Sequence, residues 1–292
     1  MNVLITGSSG FLGSLLIEEL SKLTEINKII SYDIVDGFDI LDQNQFENQL
    51  LINNITHVIH LAAMSNLNIY AENPELGYKI NVIATRNILA LCHKYDIRLL
   101  FASTCCIYGN NNIHPSDETS LIAPTELYAK SKAISEKDIL EIGLPHICMR
   151  LATFYGENMR GALAPAIFID KSYNNLQIQI HGNGKQTRTL TYVSDIVTGI
   201  IKILLSPPIY TIINVTNTEE ISVLCMVKVC QDVVNNHAEV VHIDDRNGQI
   251  YQEQILNDRL KQLGWEPKIN FVEGIRLSFE SYKRNGYKWL KT

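Results

Sequence analysis

Residues 3–13 read VLITGSSGFLG, and this stretch decides the fold. Its apolar start is typical of a short buried strand, and apolar residues recur with helical period directly after it. Between the two lie Gly7, Gly10 and Gly13, at three-residue spacing. A helix that starts at such a turn points unpaired N–H groups at the loop, and glycines let a pyrophosphate approach the backbone. The stretch therefore predicts a strand–turn–helix unit that binds a dinucleotide.

A carboxylate at the end of the next predicted strand supports this interpretation. Asp33 follows the apolar stretch Lys28–Tyr32 and lies twenty residues after Gly13. At that position it would accept hydrogen bonds from the adenosine ribose hydroxyls and would repel a 2′-phosphate. No Arg or Lys lies in the segment that follows it. NAD is therefore favoured over NADP.

Length and composition restrict the class of protein. A chain of 292 residues, 46% of them hydrophobic, can bury a sizeable core as one α/β domain or two lobes. A net charge of −6 gives no general attraction to nucleic acid or anionic membranes, and we expect neither as a partner. No export signal or membrane segment is visible, and the six cysteines show no zinc spacing. We expect a reduced cytoplasmic protein without a metal site.

Two residues after the second strand have two interpretations. Asp39 and Ile40 offer one acceptor and one apolar contact to an adenine ring. Alternatively, Asp39 is the N-cap of a polar helix that ends near Leu51. The sequence does not separate these two hypotheses.

The next strand, Ile55–Leu61, runs into Ala62 and Ala63, and such small residues let a flat cofactor approach the backbone. His57 and His60 lie three apart on this strand, so they face opposite sides and cannot share a metal ion. We interpret both histidines as structural.

Hydroxyl and thiol side chains follow the fourth strand. A long amphipathic helix, Leu76–Lys94, precedes this strand and is expected to bury Ile80, Ile83, Thr85, Ile88, Leu89 and Cys92. The strand, Arg98–Ser103, leads into STCCIYG at 103–109. Because open α/β sheets bind ligands at the carboxyl ends of their strands, we expect the substrate here.

Tyr128 and Lys132 form the strongest chemical pair in the chain. They are four residues apart in a segment with helical period, so they lie on one face. A nearby ammonium group stabilises a phenolate, and an oxidised nicotinamide adds more positive charge, so we expect the pKa of Tyr128 to lie below about 10. Such a tyrosine is a workable acid or base near neutral pH. Without other motifs, a surface helix with an incidental Tyr and Lys is the better explanation of the pair.

Together, these motifs resemble the extended short-chain dehydrogenase/reductases, and specifically their group of nucleotide-sugar epimerases and dehydratases. The similar segments are TGSSGFLG at 6–13, Asp33, HLAA at 60–63, Asn81, STCCIYG at 103–109, YAKSK at 128–132, MRLATFYG at 149–156, GNGKQTRTLTYVSDI at 182–196, Asp245 to Gly248, and LGWEP at 263–267. They span nearly the whole chain.

The resemblance implies a Rossmann-type doubly wound parallel sheet with a smaller carboxy-terminal α/β substrate lobe. Residues 1–155 would form the NAD-binding domain, and residues 189–217, with a strand at Ile212–Val215, would complete it. The lobe would consist of residues 156–188 and 218–292. After the first part of the lobe, Thr189–Asp195 would return to the main body. The implied NAD contacts are Gly7, Gly10, Phe11, Leu12, Gly13, Asp33, Asp39, Ile40, Leu61, Ala62, Ala63, Asn81, Tyr128, Lys132 and Leu151.

The activity implied by the resemblance is 4-epimerisation of a nucleotide-diphosphate hexose through a transient 4-keto sugar. Tyr128, Thr104 and Lys132 would be catalytic, and a homodimer is implied. The implied substrate contacts are Thr104, Cys105, Thr153, Arg188 and Arg246, the arginines because a guanidinium binds phosphate oxygens in a bidentate fork.

Departures from the family pattern keep other functions open. The acidic pair of the 4,6-dehydratases is Cys105 and Cys106 here, which disfavours dehydration, and Thr153 replaces a frequent Asn. Cys106 is similar to the proton-transferring cysteine of C3/C5 epimerases. However, Ala162 and Leu163 lie where those enzymes have a partner acid, and neither side chain can transfer a proton. Packing is therefore the favoured role of Cys106. The alternatives are a 4-dehydrogenase or 4-ketoreductase, a C3/C5 epimerase, and a non-catalytic NAD-binding regulator.

Overall fold

The computed structural model describes residues 1–109, 114–245 and 251–286. The strands are β1 (Asn2–Thr6), β2 (Lys28–Tyr32), β3 (His57–His60), β4 (Arg98–Thr104), β5 (Ile147–Leu151), β6 (Thr153–Tyr155), β7 (Ile178–His181), β8 (Thr187–Tyr192), β9 (Ile212–Val215), β10 (Glu220–Ser222) and β11 (Val240–Ile243). The helices are α1 (Phe11–Leu20), α2 (Gln43–Ile52), α3 (Leu67–Glu72), α4 (Pro74–Tyr78), α5 (Ala84–Lys94), α6 (Leu127–Ile142), α7 (Ala164–Tyr173), α8 (Val193–Leu205), α9 (Val223–Val234), α10 (Asp258–Gln262) and α11 (Phe271–Asn285).

A six-stranded sheet with the order β2-β1-β3-β4-β5-β9 forms the centre of the described chain. All of its neighbouring strands are parallel. From β1 the chain moves outward to β2 and then returns to β3 on the other side of β1, so the order reverses between β1 and β3. Ligands of open α/β sheets bind at this switch point. The predicted Rossmann-type sheet is confirmed, and its switch point lies at the glycine turn.

Helices cover both faces of the sheet because side chains alternate along each strand. Val3 and Ile5 of β1 belong to one buried cluster, together with Leu16 of α1. Leu4, between them in sequence, points to the other face and joins Phe46 of α2 in a second cluster. The sheet is therefore buried on both sides, as its nearly continuous apolar strands predict.

Two smaller sheets lie outside the central one. One has the order β10-β8-β6, and the other pairs β11 with β7. The expectation that residues 189–195 return to the main body is only partly right, because Thr189–Tyr192 pair with β10 and β6. The helix that follows, α8, packs against α1. The division into domains at 155, 188 and 218 stays a prediction.

The predicted helix Leu76–Lys94 contains a π-helical segment, Lys79–Ile83, between α4 and α5. A π turn adds one residue and rotates the face that the following residues present. Asn81 and Val82 are therefore buried, whereas Ile83 is exposed. The predicted burial of Ile83 is wrong for this reason, while Thr85, Ile88, Leu89 and Cys92 are buried as expected.

In the residues that the structure describes, no helix is both long enough and apolar enough to span a membrane.

Candidate active site

The glycine turn forms a close-packed cradle at the start of α1. A Cβ on Gly7, which has a φ of +70°, would lie 2.7 Å from the Ala62 nitrogen, and one on Gly13 would lie 2.2 Å from the Gly7 oxygen. Gly10 is the N-cap of α1 and supplies no side-chain cap. The first amides of α1 therefore face a surface without side chains, which fits the pyrophosphate of a dinucleotide. Phe11, Leu12 and Gly13, all predicted cofactor contacts, form the first turn of this helix.

Asp33 lies beside the cradle at the end of β2. Its Oδ2 accepts from the Ser9 amide at 3.0 Å and its Oδ1 from the Val35 amide at 3.2 Å. A carboxylate has about four acceptor sites, so these two bonds orient the group and leave acceptors for ribose hydroxyls. The position of Asp33 agrees with its predicted role.

The N-cap interpretation of Asp39 is wrong. The N-cap of α2 is Asp42, whose Oδ1 accepts from the Gln45 amide at 2.9 Å. The Asp39 carboxylate instead accepts from the Leu41 amide in a local turn. Asp39 and Ile40 are half-buried, and contact with adenine stays a prediction for both.

The loop after β3 is held by Asn81 of the π-helical segment. The Asn81 Oδ1 accepts from the Met64 amide at 2.8 Å, and its Nδ2 donates to the Met64 oxygen at 3.2 Å and to Ser131 Oγ at 3.1 Å. These bonds join the loop that carries Leu61, Ala62 and Ala63 to helix α6. Asn81 thus positions the loop that is predicted to face the cofactor. Its own contact with NAD stays a prediction.

The two histidines of β3 have structural surroundings. The ring nitrogens of buried His60 lie 2.7 Å from Thr6 Oγ1 and 3.0 Å from Thr85 Oγ1. His57 Nδ1 lies 2.8 Å from Thr56 Oγ1. Among the described residues, no group of His, Cys, Asp or Glu side chains is arranged to hold a metal ion.

Thr104 and Tyr128 come together at the carboxyl end of β4. Thr104 is buried, and its Oγ1 accepts from the Cys106 amide at 3.1 Å. Its hydroxyl also lies close enough to the phenol of half-buried Tyr128, on the first turn of α6, to lower the pKa of that phenol. Two hydroxyls therefore meet where the strand ends, and a substrate oxygen placed between them can exchange a proton with Tyr128.

Lys132 lies one helical turn further along α6 and is buried. Its Nζ donates to the Ala102 oxygen at 2.8 Å and lies 4.5 Å from the centre of the Phe101 ring. Burial lowers the pKa of Lys132 to about 7, while the carboxylate of Glu136 favours the ammonium form. An ammonium group has three donors, so Lys132 can hold a ribose hydroxyl in addition to Ala102.

The expected low pKa of Tyr128 is not produced by the protein groups alone. Burial and the nearby Cys106 thiol raise the pKa of Tyr128 above its usual range, whereas the Thr104 hydroxyl and the Arg160 guanidinium lower it. The sequence argument considered the Lys132 charge and omitted desolvation, which is the larger effect here.

Of the two adjacent cysteines, Cys106 faces the cleft. The Cys105 thiol is buried and donates to the Arg150 oxygen at 3.3 Å, and its predicted contact with substrate stays a prediction. Cys106 is exposed, and the preference for a packing role is wrong. The Cys106 thiol lies in a recess that solvent reaches, where desolvation by the surrounding protein raises its pKa to about 11. It is therefore a neutral thiol at pH 7.

The remaining predicted contacts lie at the carboxyl end of β5 and at the amino ends of β6 and β8. Leu151 is paired with Thr104 across the sheet, and Thr153 begins β6 two residues later. Arg188 of β8 is half-buried and lies near the recess. Arg246 lies outside the described residues, and its phosphate contact stays a prediction.

Two charged residues near the site were not found by sequence reasoning. The Nη1 of Arg160, after β6, donates to Ser65 Oγ at 3.2 Å, and its charge reaches Tyr128. Glu253 lines the recess beside Cys106. Neither residue lies in a quoted motif, and only the folded chain brings them to the carboxyl end of β4.

A buried polar network anchors the catalytic helix. Glu136 Oε2 lies 2.8 Å from Arg150 Nη2, and both side chains are at most 5% exposed. Arg150 Nη1 donates to the Tyr108 hydroxyl, which in turn donates to Asn214 Oδ1 at 2.7 Å. The network connects α6 with β5, β9 and the segment after Cys106, so it fixes Tyr128 relative to Thr104.

Comparisons with known proteins agree with this geometry. The sequence model of the NAD dependent epimerase/dehydratase family matches residues 3–216. A putative UDP-glucose 4-epimerase from Methanocaldococcus jannaschii is 30% identical, over 97% of this chain and 99% of the relative. Other relatives, at 25% and 26% identity, are named as UDP-glucuronic acid decarboxylases and dTDP-D-glucose 4,6-dehydratases.

Solved structures show the same fold. The Thermotoga maritima UDP-glucose 4-epimerase, crystallised with UDP-glucose, has a TM-score of 0.89 at 25% identity and covers 97% of this chain and 99% of its own. The Thermus thermophilus UDP-glucose 4-epimerase, in complex with NAD, has a TM-score of 0.87 at 26% identity over 98% and 100%. The predicted resemblance and NAD as the cofactor are confirmed at the level of the family. The chain belongs to the NAD dependent epimerase/dehydratase family.

Proposed function

We propose that this protein is an NAD-dependent epimerase that inverts C4 of a nucleotide-diphosphate hexose through a transient 4-keto sugar. The observation that carries the proposal is the proximity of Thr104 and Tyr128 at the end of β4, with Lys132 one helical turn further along α6. This pair of hydroxyls provides one place for a reacting sugar oxygen. The relatives and structural neighbours named as UDP-glucose 4-epimerases support the choice of reaction.

The residues that would hold NAD are those of the cradle. The amides at the start of α1 would bind the pyrophosphate, Asp33 the adenosine ribose, and Lys132 the ribose of the nicotinamide. When bound, NAD supplies a ring carbon that accepts a hydride from the sugar and can return it. Ala62 and Ala63 leave room for this flat ring next to the Thr104–Tyr128 pair.

Tyr128 would be the acid and base of the reaction. As a phenolate it takes the proton of the sugar hydroxyl at C4 while Thr104 holds the same oxygen. Because burial opposes a negative charge on Tyr128, cationic neighbours are needed; Arg160 is one, and the ammonium form of Lys132 is proposed as a second. After the keto sugar presents its other face, Tyr128 returns the proton, and the hydroxyl has the opposite configuration with no net redox change.

Arg188 would bind the substrate diphosphate. It lies near the recess at the carboxyl ends of the strands, where a guanidinium can contact phosphate oxygens. The nucleotide sugar would then extend from Arg188 toward Thr104 and Tyr128, with Thr153 alongside.

The exposed thiol of Cys106 supports a second candidate, a C3 or C5 epimerase. It lies next to Thr104, where a keto sugar would have acidic neighbouring C–H bonds. Such an enzyme would exchange one of these hydrogens with solvent, whereas a C4 epimerase would not. Deuterium from D2O at C3 or C5 of the product would therefore favour the second candidate. Dehydration is disfavoured because the position of the acidic pair holds a buried thiol and a neutral one.

The proposal is tested by incubating the purified protein with UDP- and dTDP-hexoses, without added cofactor, and analysing the products by NMR and mass spectrometry. We expect co-purified NAD and conversion of one sugar to its 4-epimer. A requirement for stoichiometric NAD or NADH would favour a 4-dehydrogenase or 4-ketoreductase. NAD binding with no turnover of any sugar would contradict the proposal and favour the regulator.

We also propose a homodimer. Helices α4 to α6 and the π-helical segment expose the apolar side chains of Leu76, Tyr78, Ile83, Leu127 and Ile142, and burying such side chains against a second copy is favourable. Sedimentation at equilibrium is expected to give twice the mass of the chain, and a monomer at micromolar concentration would contradict this.

A further inference from the structure

The segment 251–256 lies between two parts of the fold that fix its position. On one side, the Thr187 amide donates to the Tyr251 oxygen at 2.9 Å, and Thr189 Oγ1 donates to the Glu253 oxygen at 2.8 Å. On the other side, the Ser116 amide donates to the Gln254 oxygen at 2.8 Å. Glu253 is therefore held from both directions, and its side chain enters the recess from a rigid backbone.

The carboxyl group of Glu253 lies among groups of the proposed active site. Its Oε2 is 3.9 Å from Arg188 Nε, and the side chain is 15% exposed. The same recess is lined by Cys106, which contacts Thr104, and Thr104 contacts Tyr128. Two side chains, Cys106 and Thr104, thus separate Glu253 from the proposed acid and base.

This carboxyl group has acceptor capacity that the protein does not use fully. A separation of 3.9 Å is too long for a hydrogen bond, so Arg188 attracts the carboxylate without satisfying it. The Thr189 backbone amide supplies one hydrogen bond. A carboxylate has about four acceptor sites, and burying one with so few partners is costly. Burial raises the pKa of Glu253 to about 7, so it is an anion above that pH.

We propose that Glu253 determines which sugar the site accepts: it accepts hydrogen bonds from a hydroxyl or amino group of the hexose and disfavours a sugar that carries a carboxylate. This inference rests on the proposed function, because it places a nucleotide-linked sugar in the recess. In the described part of the chain, the titratable side chains that line the recess besides Glu253 are Cys105, Cys106, Tyr108 and His114, and the Arg188 guanidinium lies beside Glu253. A sugar carboxylate beside Glu253 would repel it, and like charges in contact reduce affinity strongly.

The test measures binding, so that it does not depend on turnover. In the Tyr128→Phe protein loaded with NAD, the affinities for UDP-glucose and UDP-glucuronic acid are measured by calorimetry at pH 8.5. If UDP alone does not bind, the corresponding dTDP-sugars replace them. We expect UDP-glucose to bind at least about tenfold more tightly, and we expect Glu253→Gln to reduce this ratio about tenfold. Glu253→Asp keeps the charge and should keep the preference for the neutral sugar.

Glu239→Gln is the matched control, since Glu239 is an exposed carboxylate whose Oε2 accepts from Gln177. It should leave the ratio unchanged, and thermal unfolding shows whether each variant is folded. A ratio unchanged by Glu253→Gln in a folded protein, or a preference for UDP-glucuronic acid before the substitution, overturns this proposal alone. Failure of every nucleotide sugar to bind refutes the proposed function, and this inference with it.

Discussion

Adding one methyl group at Gly10 separates cofactor binding from stability. Gly10 has φ −74° and ψ 174°, a backbone conformation that alanine also adopts. A Cβ there would have one close neighbour, the Gly7 oxygen at 3.1 Å. The free energy of unfolding should therefore fall by less than about 1 kcal/mol in Gly10→Ala.

The effect on NAD should be much larger. The new methyl group would lie at the first amides of α1, where the pyrophosphate is proposed to bind. Losing one or two charge-assisted hydrogen bonds of about 1.5 kcal/mol each corresponds to a rise in Kd of about 10- to 100-fold. Calorimetric titration with NAD and chemical denaturation of the same samples measure both quantities.

A substitution at a second glycine, Gly143, is the control, because it should reduce stability and leave NAD affinity unchanged. Gly143, between α6 and β5, has a φ of +81°, and a Cβ added to it would have no neighbour within 4 Å. Gly143→Ala should lose about 2 to 3 kcal/mol of stability through backbone strain and keep its NAD affinity. If Gly10→Ala binds NAD as tightly as the unchanged protein, the pyrophosphate does not lie on this turn and the cofactor assignment is refuted.

Two further predictions concern buried polar groups. Glu136→Gln should destabilise the protein by about 3 to 5 kcal/mol, because it leaves the buried Arg150 charge uncompensated. Asp138→Asn, which breaks a partly exposed ion pair two residues further along the chain, should cost less than about 1 kcal/mol. Urea denaturation compares the two variants, and equal losses of stability would contradict the account. Burial lowers the pKa of His60 to about 3, so the unfolded chain binds a proton that the folded protein excludes, and stability should fall as the pH drops below about 6.5. His60→Gln should lower stability at pH 7.5 but flatten this pH dependence between about 6.5 and about 5, and an unchanged slope would show that His60 is not its source.

The sequence predicted the central sheet well, because its strands are apolar runs that end at glycine or small polar residues. β1, β2, β4 and β9 lie where the pattern placed them, and the turn at Gly7 follows from local chemistry alone. The burial of Ile83 was wrong because the π-helical segment around Asn81 shifts the helix face, and no periodicity reveals such a shift. Asp42 was not recognised as the cap of α2, since Asp39 and Asp42 are both acceptable N-caps.

Sequence motifs pointed to the catalytic candidates, whereas two charged residues beside them were not anticipated. Thr104, Tyr128 and Lys132 lie on elements that the sheet order brings together, so local motifs were sufficient. Arg160 and Glu253 reach the site through long-range packing of β6, β8 and the segment after 250. The effect of burial on the Tyr128 pKa was not anticipated, because burial cannot be read from a pair of residues four apart.

The rate of sugar epimerisation in Tyr128→Phe protein tests the central claim most directly. The variant is compared with Tyr95→Phe, whose hydroxyl contacts Glu47 on the surface of α5, using NMR to follow the sugar and absorbance to measure bound NAD. We predict that Tyr128→Phe keeps its NAD and loses about 10²- to 10⁴-fold in kcat, while Tyr95→Phe stays within about twofold of the unchanged protein. Turnover near the original rate in NAD-loaded Tyr128→Phe protein would contradict the account.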